Sequence, residues 1–150
     1  MATGNGTYVD PSALLKLYRK EPESRAMAIW KGAQKEPVAV TLHGCAELVN
    51  GLALAAHRKA ISPTEYRSAL SDFDDDMRNG HYSIVDLQWR SALRRSDSLS
   101  RKYSATLGTR YLDVLHVACA LELRFKTLIS YDYRQQSLAK AVGLKVLAPI

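Results

Sequence analysis

Residues 127–148 read TLISYDYRQQSLAKAVGLKVLA, and this stretch decides the fold class. The β-branched and apolar run at 127–131 predicts a strand. Tyr133 onward predicts a helix to 142, with Gly143 placed to end it as a C-terminal cap, and 145–148 predicts a second strand. Upstream the same alternation recurs. Residues 7–10 form a short β-type run ending at Asp10, and Pro11 opens PSALLKLYRK as a helix with Leu14, Leu15 and Tyr18 on one side. Residues 22–34 carry Ala26, Ile29, Trp30 and Ala33 at helical spacing, 37–41 predict a strand, and 43–58 a helix. Ser62 is placed to cap a helix running to Met77, where Arg78, Asn79 and Gly80 stop it. A third strand is expected over 82–87 and a polar helix over 88–103. After a break at 107–109 comes an apolar helix over 110–123. Strands alternating with helices imply an α/β domain over residues 1–150, with a mainly parallel central sheet of four to five strands flanked by about seven helices.

Length and composition agree with one core: 150 residues, of which 47% are hydrophobic. Residues 1–6 contain neither a positive cluster nor an apolar run, so no signal peptide or anchor is expected there. The blandest region, 37–56, is broken by His43, Glu47 and Asn50, short of the ~18 apolar residues of a membrane span. The expectation is a soluble cytoplasmic protein. Cys45 and Cys119 sit in apolar helical runs without CxxC or Cys/His spacing and read as small core residues. The formal charge of +6 favours a polyanionic partner.

In a parallel α/β sheet the site lies beyond the carboxyl ends of the strands. Acids stand there. Asp10 ends the first strand, Asp132 ends the fourth, and Glu47 lies in the first turns of the helix after the second. Asp113 belongs to the apolar helix, where a lone carboxylate needs Arg110, His116 or a cation as partner. Each acid has a plainer reading as well. Asp10 and Asp132 could be ordinary N-caps, Asp113 a partner of Arg110, and Glu47 part of a polar face with His43 and Asn50. Taken together, carboxylates gathered on one edge repel and raise one another's pKa values unless a cation compensates. Carboxylate-only ligands suit Mg²⁺ or Mn²⁺ better than zinc. Arg94, Arg95, Arg101, Lys102 and Arg110 could approach a nucleic-acid backbone, with Tyr103 and Tyr111 placed to stack on bases. Basic residues on a solvated helix face are the alternative.

Four segments, YVDPSALLKLY, TLHGCAELVNGLA, TRYLDVLHVACAL and LISYDYRQQSLAKAVGL, resemble in order the acidic motifs of PIN-domain proteins, and the compact length resembles the VapC toxins of toxin-antitoxin pairs. The resemblance implies a metal-dependent ribonuclease with Asp10, Glu47, Asp113 and Asp132 as metal-site acids and Ser12 and Ser130 as supporting hydroxyls. It further implies an RNA substrate, a homodimer and a cognate antitoxin. Two positions depart from the common pattern: Pro11 follows the first Asp where a Thr or Ser is frequent, and Ser130 stands where Thr is frequent. The competing readings are a non-catalytic RNA-binding or protein-interaction module that keeps the acids as caps, and a phosphoacceptor signalling domain, against which the apolar surroundings of Asp113 argue. The run Asp72, Asp74, Asp75, Asp76 lies at the end of an amphipathic helix without EF-hand spacing and reads as a solvated face. No Walker A, GxGxxG, GxSxG or HExxH pattern occurs. His116 is expected to pack beside Asp113.

Overall fold

The computed structural model describes residues 6–150, so the expectation for the tail at 1–5 lies outside the described residues. Among the described residues five three-residue strands form: β1 (Thr7–Val9), β2 (Val38–Val40), β3 (Tyr82–Ile84), β4 (Thr127–Ile129) and β5 (Lys145–Leu147). All strand pairs are parallel, with Val9 opposite Ile129, Ile129 opposite Leu147, and Val40 opposite Ile84. The expected central sheet is divided into two ladders, β1-β4-β5 and β2-β3, which meet where β1 lies against β2. The strands are shorter than their β-type runs because Asp10, Thr41 and Asp132 turn the chain into helices just beyond them.

The helices are α1 (Pro11–Leu15), α2 (Ser24–Gly32), α3 (Leu42–His57), α4 (Pro63–Arg78), α5 (Trp89–Leu99), α6 (Tyr111–Glu122) and α7 (Tyr133–Ala141). Ser62 and Glu65 form a reciprocal capping box at the start of α4, as the sequence leads one to expect. The polar helix expected over 88–103 is not uniform. It leaves α5 through a π turn, Ser100–Ser104, and a last helical turn, Ala105–Leu107, before Gly108 ends it at φ 68°. Leu99, Tyr103 and Leu107 all pack on one core. At a spacing of four residues an α-helical stripe drifts about 40° per step, and the wider turn keeps the three side chains in line. No helix among the described residues is long and apolar enough to cross a membrane.

The sheet separates two hydrophobic cores, and its pleat assigns residues to them alternately. Tyr8, Ala39, Leu128 and Val146 face the core shared with α5, α6 and α7. Val9, Val38, Val40, Ile129 and Leu147 face the core shared with α1, α2, α3 and α4. The helix expected to be apolar nearly all round is buried from Val114 to Ala120, while Tyr111 and Leu112 in its first turn are exposed. Both cysteines are free, and burial pushes the Cys119 thiol up to about 11, in keeping with a core role.

The acidic run of α4 needs a correction. Asp72, Asp74 and Asp75 are exposed, but Asp76 turns inward. It accepts hydrogen bonds from the Tyr18 hydroxyl and from Lys31 Nζ at 2.9 Å, and lies 3.3 Å from His81. The amphipathic helix carries this acid round to its buried side, where the donors hold its carboxyl below the usual range against the opposing effect of burial.

Candidate active site

The alternation that sends Tyr8 to one core and Val9 to the other returns Asp10 to the side of α6. Asp10 is 7% exposed, and its two oxygens have different partners. Oδ2 accepts the Ser12 amide at 3.0 Å and the Ser12 hydroxyl, capping α1. Oδ1 accepts Gln135 Nε2 at 3.1 Å, and the same amide reaches the Asp113 carbonyl at 3.3 Å. Gln135 thereby ties the end of β1 to the start of α6 from its seat on α7.

Asp132 divides its oxygens in the same way. Oδ1 accepts the Gln135 backbone N–H at 2.9 Å and caps α7, while Oδ2 lies 3.7 Å from Arg110 Nη2. The Ser130 hydroxyl accepts the Asp132 N–H at 3.1 Å, which fixes the turn out of β4. Arg110 also reaches Asp113 Oδ2 through Nε at 3.5 Å, so one exposed guanidinium spans two acids. Burial and the neighbouring Asp132 charge raise the Asp113 carboxyl above its ordinary range, with Arg110 opposing them incompletely.

Glu47 arrives from α3. That helix docks closely on α1 across two glycines: a Cβ at Gly44 would stand 3.7 Å from Pro11 Cγ, and one at Gly51 would stand 3.3 Å from Leu15 Cδ2. Glu47 Oε2 lies 2.9 Å from His116 Nε2, and the opposite nitrogen, Nδ1, lies 2.6 Å from the Tyr8 hydroxyl. Burial alone would push the Glu47 carboxyl up, but the His116 bond and the charges of His116 and His43 bring it below its usual range. Burial opposes a charge on His116, yet Glu47, Asp10 and Asp113 together raise its pKa. The two side chains form one close imidazole–carboxylate contact, with His116 nearly fully buried and Glu47 partly exposed.

The structure thus brings all four acids to one end of the sheet, linked through Gln135, Arg110 and His116. It does not close them into a tight ligand shell. Among the described residues, the one group of three or more His, Cys, Asp or Glu side chains whose ligand atoms lie within 4.8 Å of one another is His43, Glu47 and His116. The cap readings of Asp10 and Asp132 hold alongside the convergence, because each acid caps with one oxygen and keeps the other for a second partner, Gln135 for Asp10 and Arg110 for Asp132. His116 pairs with Glu47, its ring reaching across to α3, while the Asp113 charge one turn back also acts on it. Asn50 is exposed and does not join Glu47.

The basic residues of the α5 region are exposed and in part engaged. Arg95 pairs with Glu122 at 2.6 Å, Arg101 with Asp97 at 2.8 Å, and Lys102 lies 5.3 Å from the Tyr103 ring centre. Arg94 makes no side-chain ion pair among the described residues. A cleft of about 550 Å³ lies at the opposite end of β2 and is lined by Lys31, Pro37, Val38, Asp76 and His81. None of the four acids lines it. Sequence reasoning missed Gln135 and Tyr8 and took His43 only as a polar-face neighbour of Glu47. The spacing Asp132-x-x-Gln135 is a capping-box pattern and His43-x-x-x-Glu47 shares one helix face, so both were available signals, whereas nothing local marks Tyr8.

The PIN domain family matches residues 7–141 of the chain. Among solved structures, FitAcB from Neisseria gonorrhoeae is similar in fold, with a TM-score of 0.66 and 18% identity over 95% of this chain and 97% of that chain. No curated protein matches.

Proposed function

The chain belongs to the PIN-domain family, whose members are generally metal-dependent nucleases, and from that premise we propose that it is a metal-dependent endoribonuclease acting as the toxin of a toxin-antitoxin pair. The observation that carries this reading is the gathering of Asp10, Glu47, Asp113 and Asp132 at one end of the sheet, with the single guanidinium of Arg110 reaching both Asp113 and Asp132.

The residues present fit a hard divalent ion. The donor set is carboxylate oxygen, which suits Mg²⁺ or Mn²⁺. Gln135 Oε1, buried beside Asp10, has no hydrogen-bond partner among the described residues and offers a further neutral oxygen. Asp10, Glu47, Asp113 and Asp132 would hold one or two ions, Asp132 directly or through water. When bound, the metal supplies an activated water and neutralises charge developing on the phosphate. Ser12 and Gln135 orient Asp10, and Ser130 holds the turn from which Asp132 projects. Arg110, exposed and only loosely engaged, is placed to exchange its carboxylates for a phosphate of the RNA. Arg94, Arg95, Arg101 and Lys102 extend the positive surface along which the backbone would run.

The reading takes residues 1–150 as one PIN-like domain, cytoplasmic and homodimeric, with no membrane partner. A carboxylate pocket on a basic body also attracts a cationic side chain, so the cognate antitoxin would insert a basic or polar peptide there. The purified chain is expected to cleave RNA in Mn²⁺ or Mg²⁺ and to lose that activity in EDTA. Persistent RNA binding without cleavage in either metal would favour the non-catalytic module, in which Asp10 and Asp132 serve only as caps. Co-expression with the product of an adjacent gene is expected to give a stable complex with reduced nuclease activity. If no neighbouring product binds or suppresses the chain, the toxin-antitoxin half of the reading fails and the nuclease half stands.

A further inference from the structure

His43, Glu47 and His116 differ in chemistry from the acids around them. His43 and Glu47 lie one turn apart on α3, and His116 faces them from α6. Their ligand atoms already lie within 4.8 Å of one another, and the closest pair, Glu47 Oε2 and His116 Nε2, is at 2.9 Å. His43 Nε2 is buried and has no hydrogen-bond partner among the described residues, an uncompensated polar atom that should cost stability unless something fills the position. Its ring is held edge-on by Trp89 at 5.5 Å and lies at the same distance from the His116 ring. His116 carries the outer support that imidazole ligands of metals usually have: with Nε2 turned to the site, Nδ1 is left to donate to the Tyr8 oxygen at 2.6 Å. Two imidazoles and one carboxylate form a donor set with metal preferences unlike those of four carboxylates. Nitrogen donors favour Zn²⁺ and its neighbours over Mg²⁺ and Mn²⁺, and His₂Glu with an open fourth position is an established zinc arrangement.

We propose that His43, Glu47 and His116 form a separate site for a borderline divalent ion, Zn²⁺ above all, and that filling it draws Glu47 away from the carboxylate site. Binding releases the proton that His116 Nε2 shares with Glu47, and the carboxylate turns from the imidazole to the ion. A closed tetrahedral shell needs ligand atoms roughly 3.3 Å apart, a contraction that side-chain rotation on two packed helices can supply. The second half of the proposal, inhibition, rests on the metal-dependent nuclease reading. The binding half does not.

The test uses the full chain at fixed pH. Calorimetric titration with Zn²⁺ and the visible absorption of added Co²⁺ report binding and geometry without reference to catalysis. One equivalent of Zn²⁺ is expected to bind, with the intense absorption of tetrahedral Co²⁺. His43→Ala, at a half-buried position, is expected to weaken Zn²⁺ at least about tenfold and to abolish that absorption. Asp113→Asn is expected to keep both. His81→Gln, at the opposite end of the sheet, serves as the control for adventitious histidine binding and is expected to bind Zn²⁺ as the wild type does. Wild-type affinity in His43→Ala, or a weak octahedral Co²⁺ spectrum, would overturn the site. Zn²⁺ is further expected to suppress Mn²⁺-supported cleavage in the wild type and to lose that effect in His43→Ala; equal suppression in both would overturn the sharing of Glu47. If no metal supports cleavage, it is the nuclease reading that fails, and the titrations still decide whether the zinc site exists.

Discussion

Asp10→Asn and Asp113→Asn are each expected to reduce RNA cleavage by at least about a hundredfold, the loss that follows removal of one charged or polar group acting on the transition state. Both changes are nearly isosteric, and Asn is as good an N-cap as Asp, so α1 should keep its start at Asp10→Asn. The protein should remain folded and lose any growth inhibition on expression. Asp74→Asn and Asp75→Asn supply the contrast. Asp74 is exposed and Asp75 pairs only with Arg78 on the same helix face, so neither should alter cleavage. Wild-type rates in both core-acid variants at matched metal concentration would show that the site lies elsewhere.

The second large effect is on stability, and its sign changes with metal. The Asp113 carboxyl is raised in the folded protein by burial and by Asp132. A folded-state pKa above the unfolded value means that this group's favourable contribution is complete below the unfolded pKa and is lost as pH rises through the folded one. At neutral pH, without metal, Asp113→Asn should therefore leave stability unchanged or higher. Mn²⁺ should reverse the ranking. An ion that binds only the folded state stabilises by roughly 2.7 kcal/mol at about a hundred times its dissociation constant. Such a gain is worth about 5–11 °C in Tm for a domain of this size. Thermal melts of the wild type and Asp113→Asn in EDTA and in Mn²⁺, at neutral pH and constant ionic strength, measure it. Equal gains in the two proteins would place the ion elsewhere, and destabilisation of the variant in EDTA without any metal shift would make Asp113 a structural partner of Arg110.

The fold was largely legible because the features that set it are local. Hydrophobic periodicity and punctuation by Pro11, Ser62, Gly108 and Gly143 mark where elements start and stop. The parallel alternation follows once strands and helices are placed in order. The division into two ladders was not legible, since it depends on how far strands of three residues continue before their caps turn them. For the site, position beyond strand ends led to Asp10 and Asp132, and the apolar context marked Asp113. The pairing of His116 with Glu47 escaped because it spans the gap between α3 and α6, and sequence spacing speaks only about neighbours on one helix. The role of Asp76 escaped for a related reason: the face that a helical acid presents is fixed by what packs against it, here Tyr18, Lys31 and His81.

The register of β1 bears on how the protein is made. Val9 pairs with Ile129, and Asp10 is then held by Gln135, a residue more than a hundred positions along the chain. During synthesis at ~5–20 residues per second, β1, α3 and the intervening helices leave the ribosome well before β4 and α7 do. Until then Asp10 has neither its neighbouring strand nor the amide that orients it, and Asp132 does not yet exist. Asp10 and Asp132 are consequently brought together only late in translation, and a truncated product ending before β4 lacks both the strand and the helix that hold the two acids in place.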